Sequence, residues 1–172
     1  ELCEASTFME DQGGKNFAEQ ALEISNRTNY PLGIGLANNS IGAYYLQVGD
    51  LEKALPFVLE AERVYLNAGG FGKNLLAVYN NLGIIYNRTG DTRKAITVYK
   101  NAILLAEKEK MLQSQAILYN NLGSAYDKLQ VYDSALWAFG RVEEVSKEGG
   151  IEVGIMMAKS NLGSVYFSLG NL

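Results

Sequence analysis

The sequence predicts an all-α fold, a solenoid of stacked helix–turn–helix units. Three observations carry that expectation. An eight-residue phrase returns along the chain as Tyr79-Asn-Asn-Leu-Gly-Ile-Ile-Tyr86, Tyr119-Asn-Asn-Leu-Gly-Ser-Ala-Tyr126 and Lys159-Ser-Asn-Leu-Gly-Ser-Val-Tyr166. Leu82, Leu122 and Leu162 mark one fixed period of about 40 residues, within the range of repeat proteins. A looser copy, Asn38-Asn-Ser-Ile-Gly-Ala-Tyr-Tyr45, precedes the first by one period and a single extra residue. Inside each copy the large residues follow i, i+3, i+4, i+7, one stripe of an α-helix. Glycine-led turns, Gly49-Asp50 and Gly90-Asp91, then separate one stripe from the next. Self-similarity at this period marks stacked repeats rather than one globular core. Stacked repeats build extended surfaces, not closed catalytic pockets.

Taken in order, residues 1–12 read as the remnant of a first helix. Phe17 and Ala21 lie one such period ahead of Phe57 and Ala61, so residues 15–29 read as the second helix of an earlier unit. Pro31 opens the next helix, where a missing N–H costs nothing. The units then run 1–34 (partial), 35–74, 75–114 and 115–154 (complete) and 155–172 (a first helix only). In the type unit, Tyr79, Leu82, Gly83 and Tyr86 form the first stripe, and Ala95, Val98, Tyr99, Ala102 and Leu105 the second. Gly90 supplies a left-handed residue past the helix end, and Asp91 is expected to cap the next helix. Gln130-Val131 stands where the other units have Gly-Asp and predicts a weaker cap. Pro56, about two turns into its helix, predicts a slight kink or a late start. The extra residue behind the one longer spacing falls in the glycine-rich Asn67–Lys73 loop.

The glycine of each Leu-Gly pair sits mid-helix, where it costs about 1 kcal/mol relative to alanine. Close approach of the paired second helix explains a cost borne four times, with Ala54, Ala95 and Ala135 as the reciprocal small residues. Tyr45, Tyr86, Tyr126 and Tyr166 repeat at a core-facing position. Trp137 and Phe71 fall off the pattern; Phe71 reads as tucked into the adjacent seam, with an exposed contact as the alternative. The chain begins at Glu1 rather than Met and reads as an excised piece. Leu162, Val165, Tyr166 and Leu169 are expected to lack a partner, so continuation or self-association through the last helix is expected there.

Composition narrows the function. A formal net charge of −4 argues against nucleic acid, which asks for a concentrated basic face. No apolar run reaches the roughly 18 residues needed to cross a bilayer, and no leader is visible. The sequence leaves the compartment open, the cytoplasm being the favoured expectation. Histidine is absent and Cys3 is the single cysteine, which removes Cys/His zinc sites, Ser-His-Asp and Cys-His nucleophiles and an internal disulfide. Cys3 itself reads as a small apolar residue. No metal, no cofactor and no enzymatic activity are expected. The sequons at Asn26, Asn38 and Asn87 read as chance in an asparagine-rich chain.

A helical wheel locates a candidate site. With Tyr79, Leu82, Gly83 and Tyr86 facing the core, the opposite face holds Ala77, Asn81, Ile84 and Arg88. The equivalent columns are Leu36, Ser40, Ala43 and Gln47, then Ile117, Asn121, Ser124 and Lys128, then Met157, Asn161, Ser164 and Ser168. Asn81, Asn121 and Asn161 thus form a ladder that Ser40 continues. A carboxamide offers a donor and an acceptor, and so matches an extended peptide main chain whatever its sequence. Arg88 and Lys128 would meet an acidic ligand residue, or simply be solvated. The alternative reading is structural: these amides bond across the seam between repeats or to nearby backbone. Asn80 and Asn120 are expected to be less central on this face.

The pattern of a large residue, Leu-Gly, Tyr, then Ala, aromatic, Ala (Tyr79, Leu82, Gly83, Tyr86, Ala95, Tyr99, Ala102) resembles the tetratricopeptide repeat family. It covers nearly the whole chain. The unit is longer than the usual repeat of about 34 residues. It looks most like the longer variety of bacterial signalling proteins and some animal cell-polarity adaptors. The resemblance implies a right-handed α-α superhelical solenoid and a non-catalytic scaffold that binds a protein or peptide. Asparagine ladders at this position hold extended peptides in several members. The Lys/Arg clamp for a C-terminal carboxylate is missing, since Ala, Ile and Asn fill those columns, which disfavours a co-chaperone. The alternative is a regulatory or sensor segment of a larger signalling protein such as a histidine kinase, cyclase or transcription regulator.

Overall fold

The structure, a computed structural model, describes residues 2–69 and 72–170, with side chains from residue 13 onward. The described residues form helices and short turns without a strand. The helices are α1 (Leu2–Arg27), α2 (Pro31–Gln47), α3 (Leu51–Ala68), α4 (Gly72–Arg88), α5 (Thr92–Lys108), α6 (Leu112–Lys128), α7 (Tyr132–Gly149) and α8 (Glu152–Ser168). Phe71 lies outside the described residues, as does the side chain of Cys3.

Left-handed residues punctuate the chain at Asn29, Gly49, Gly69, Gly90, Lys110, Gln130, Gly150 and Gly170. The interval between them is constant except from Gly69 to Gly90, which contains the extra residue placed by the sequence. Gln130 adopts φ +58° where the equivalent positions Gly49, Gly90 and Gly170 use glycine. An L-residue is disfavoured by about 1–2 kcal/mol in that region, and glycine is not. Gln130→Gly is therefore expected to raise stability by about 1 kcal/mol, read as a higher urea midpoint with an unchanged slope.

Caps differ from turn to turn. The Asp50 carboxylate accepts the Lys53 N–H at 3.1 Å and pairs with its ammonium at 2.7 Å. Both contacts hold the Asp50 carboxyl below its ordinary range. Their support is present at neutral pH and is lost as acid protonates the group below that range. Asp91 makes no such cap, contrary to expectation. At that turn Thr92 is buried instead, and its hydroxyl donates to Asn87 Oδ1 at 3.1 Å. Pro31 occupies the first turn of α2 as expected. Helix α3 starts at Leu51 and runs through Pro56, so the start is not delayed. Residues 1–12 are not a separate helix: α1 is continuous from Leu2 to Arg27, through Gly13 and Gly14.

Contacts divide the chain into two compact units, Glu1–Ile85 and Tyr86–Leu172. In the first, α2 packs against α1 and α3. Ile41, Ala54, Val58, Ala61 and Tyr65 are fully or nearly fully buried there, and Leu76, Val78, Leu82 and Ile85 of α4 are buried as well. In the second, α6 contacts α5, α7 and α8, and α7 also contacts α8. Its core holds Tyr99, Leu118, Leu122, Phe139, Val142 and Val165. Burial pushes the Tyr99 phenol well above its usual range.

Two of the repeated glycines, Gly42 and Gly123, approach the paired second helix closely as the sequence implies, with a correction to the residue they meet. A Cβ on Gly42 would meet Val58 Cγ2 at 2.4 Å, and one on Gly123 would meet the Phe139 ring at 2.6 Å. Each close approach is to the paired second helix, but the abutting side chain lies one turn beyond Ala54 or Ala135. A Cβ on Gly163 would meet nothing within 4 Å. Leu162 and Val165 do have partners, packing with Ala135 and Phe139, while Tyr166 and Leu169 are exposed as expected. The tyrosine column is otherwise buried or half-buried, and lysines lie over its rings: Lys53 over Tyr45, Lys94 over Tyr86 and Lys100 over Tyr126.

Candidate functional site

The column predicted to face outward is exposed in part. Ser40, Arg88, Ser124 and Lys128 are exposed, and Asn81, Ile84, Asn121 and Asn161 are half-buried. Helix geometry accounts for this, because the Leu-Gly-Tyr stripe turns the opposite arc of each first helix away from its second helix.

Two asparagines of the expected ladder bond across the seam to the preceding first helix, as the structural alternative holds. Asn81 Nδ2 donates to Asn39 Oδ1 at 3.0 Å in the first unit. Asn161 Nδ2 donates to Asn120 Oδ1 at 2.7 Å in the second. Asn80 and Asn121 are also engaged. The wheel, which treats each helix alone, does not single out Asn39 or Asn120 as site residues. A signal existed: the Asn-Asn doublet recurs, and Asn120 stands about one repeat before Asn161. The bond consumes one hydrogen and one oxygen of each amide pair. It keeps the Asn161 carbonyl and the Asn120 N–H groups, a donor and acceptor set that matches one peptide unit.

The two cations differ in their surroundings. Lys128 donates to the backbone carbonyl of Asn87, at the end of α4, where a positive charge favours the helix dipole. Arg88 is engaged too. Ser124 returns its hydroxyl to the Asn120 carbonyl of its own helix at 3.0 Å.

Beside the Asn120–Asn161 pair lies an apolar cleft of about 160 Å³ between α6 and α8. Ile117, Val153 and Met157 form its rim, Val142 and Ile151 also line it, and Asn120 and Gln113 supply its polar atoms. Cavities of about 150 Å³ lined by aliphatic groups accept a benzene-sized guest, so this cleft suits one apolar side chain. Gly154 lines it and lets α8 pack closely on α7, where a Cβ would meet Ser146 Oγ at 2.2 Å. No group here is arranged for proton transfer or nucleophilic attack. The arrangement can bind, through one apolar anchor and one amide pair.

An array of helix hairpins whose units recur at a fixed period defines a class of repeat scaffold. The tetratricopeptide repeat profile matches residues 33–108 and 74–148, about two-thirds of the chain. The chain belongs to the tetratricopeptide repeat family, whose repeats serve generally as protein–protein interaction scaffolds. A curated relative, the anaphase-promoting complex subunit cut9 of Schizosaccharomyces pombe, is 36% identical over 63 residues. That match takes in 36% of this chain and only 9% of cut9. The solved structure of BtubC (BKLC) from P. vanneervenii shares the fold, with a TM-score of 0.75 at 20% identity over 92% of this chain and 66% of BtubC. Among the described residues no helix is long and apolar enough to cross a membrane.

Proposed function

We propose that the outward face of the first helices holds an extended segment of a partner protein without catalysing a reaction on it. The observation that carries this reading is the pairing of the α6–α8 cleft with the Asn120–Asn161 amides. One apolar side chain of the partner seats among Ile117, Val153 and Met157. The adjacent peptide unit exchanges hydrogen bonds with Asn161 and Asn120. Ser40, Asn81, Ile84, Arg88, Asn121, Ser124 and Lys128 extend the same outward columns of their own helices, the two cations meeting acidic residues of the partner. The role needs neither metal nor cofactor. The place of cut9 in a multi-subunit assembly supports a partner-holding part for this chain.

Display selection on the immobilised chain supplies peptides, and calorimetry supplies affinities. Ile117→Asp and the double substitution Asn120→Ala with Asn161→Ala are each expected to weaken a selected peptide at least tenfold, about 1.4 kcal/mol, while the thermal midpoint of Ile117→Asp is unchanged. Affinity unchanged by both would overturn the reading.

A further inference from the structure

The outer surface of the second unit carries features that the repeat framework does not require. Trp137 of α7 is 53% exposed and Leu104 of α5 is 66% exposed. They meet across a cavity of about 290 Å³ floored by Ile103, Tyr119 and Leu122 and flanked by Lys100 and Glu107. At the position of Leu104 the neighbouring second helices carry Arg63 and Glu144, and at that of Trp137 they carry Pro56 and Thr97. Trp137 meets the Tyr119 ring edge-on at 5.7 Å, but polar or small residues suffice at both positions elsewhere, so its exposed face and Leu104 go beyond what the repeat framework requires. Exposed Trp and Leu that converge on one groove mark an interaction site more often than a packing remnant.

Gly140 is an independent observation. It lies one turn beyond Trp137, on the same face of α7, in a mid-helix position that favours any other ordinary residue. A Cβ there would meet nothing within 4 Å, in contrast to Gly42 and Gly123. Nothing inside the unit needs its side chain absent; an approaching backbone from outside would.

The charges at the groove point to its occupant. Glu107 accepts the Tyr119 hydroxyl at 2.7 Å, and Arg141 is paired with Glu144 beside the Tyr119 ring. Lys100 rests against the Tyr126 ring and makes no ion pair among the described residues. We propose that the groove between α5 and α7 is a second docking surface, distinct from the α6–α8 cleft. Its occupant is an acidic amphipathic helix of a partner protein. The helix lays a Leu or Phe against Trp137 and Leu104, sets a carboxylate beside Lys100 and brings its backbone close to α7 over Gly140.

Trp137 is the single tryptophan, so its emission reports on this groove alone. A phage-displayed random peptide library is selected on the full chain and counter-selected on a Leu104→Arg, Trp137→Thr double variant, which carries the residues of sibling repeats. Enriched peptides are expected to combine Leu or Phe with Asp or Glu one helical turn away, and to shift Trp137 emission to the blue on titration. Leu104→Arg is expected to weaken them at least tenfold, and Lys100→Glu to weaken them measurably. Gly140→Lys, again a sibling's residue, is expected to raise the thermal midpoint while weakening binding at least tenfold. Ile117→Asp is expected to leave their affinity unchanged. The proposal is overturned if no peptide survives counter-selection, if the survivors leave Trp137 emission unmoved, or if Gly140→Lys binds as the parent does.

Discussion

Leu122→Ala is expected to cost about 3 kcal/mol, within the range for deleting a fully buried leucine side chain from a core. Leu122 has no exposed surface in the middle of α6, which packs against three other helices. Ala125, Ala135 and Ala138, also fully buried in this unit, have short side chains that cannot reorient to fill a void. The loss therefore combines the transfer free energy with an unrelieved cavity. The sibling leucine gives the control: Leu162 is only half-buried, so Leu162→Ala should cost about 1 kcal/mol or less. Urea titrations of both variants measure the difference. Equal losses would show that burial within the phrase is not what sets its energetics.

The same phrase predicts a change of sign at its glycines. Gly123→Ala gains about 1 kcal/mol of helix propensity but drives a Cβ into Phe139, whose nearest ring atoms lie at 2.6 and 2.7 Å. Phe139 is itself buried, so the whole ring must move, and overpacking of this kind costs about 1–3 kcal/mol. A net loss of about 1 kcal/mol is expected, and a greater one for Gly123→Val. At Gly163 the space is open, and Gly163→Ala is expected to add about 1 kcal/mol. Thermal midpoints moving in opposite directions confirm the close-packing role of the glycine. Movement in one direction for both would refute it.

From α2 onward, the helices, turn positions and inward stripe were legible because each repeats, and repetition separates a pattern from chance; the N-terminal residues, which carry no full copy of the phrase, were divided into two helices where there is one. The identity of the residue against each glycine was not. Ala54 and Val58 lie one turn apart on the same stripe of α3, and only the axial offset of the two helices selects Val58. Similarly, residues 1–12 and 15–29 read as two helices, yet α1 runs unbroken through Gly13 and Gly14, since two helical glycines cost only about 1 kcal/mol each. At the candidate site the outward direction of Asn161 was readable from its own helix. Its bond to Asn120 depended on a helix of the preceding repeat. Lys128 is a further case: its long stem reaches back to Asn87, which a wheel drawn on α6 alone does not contain.

The even spacing of the left-handed residues bears on how the chain is made. Direction reverses at each of them, so a helix and its hairpin partner are completed within one repeat. At synthesis rates of about 5–20 residues per second, one such unit emerges over roughly 2–8 s. Helix formation takes about a microsecond, and closing a short loop less. Each hairpin thus has ample time to close on the ribosome before the next is complete, and Leu-Gly phrases need be exposed only one at a time. A nascent chain built this way shelters its apolar stripes in the order in which they are translated.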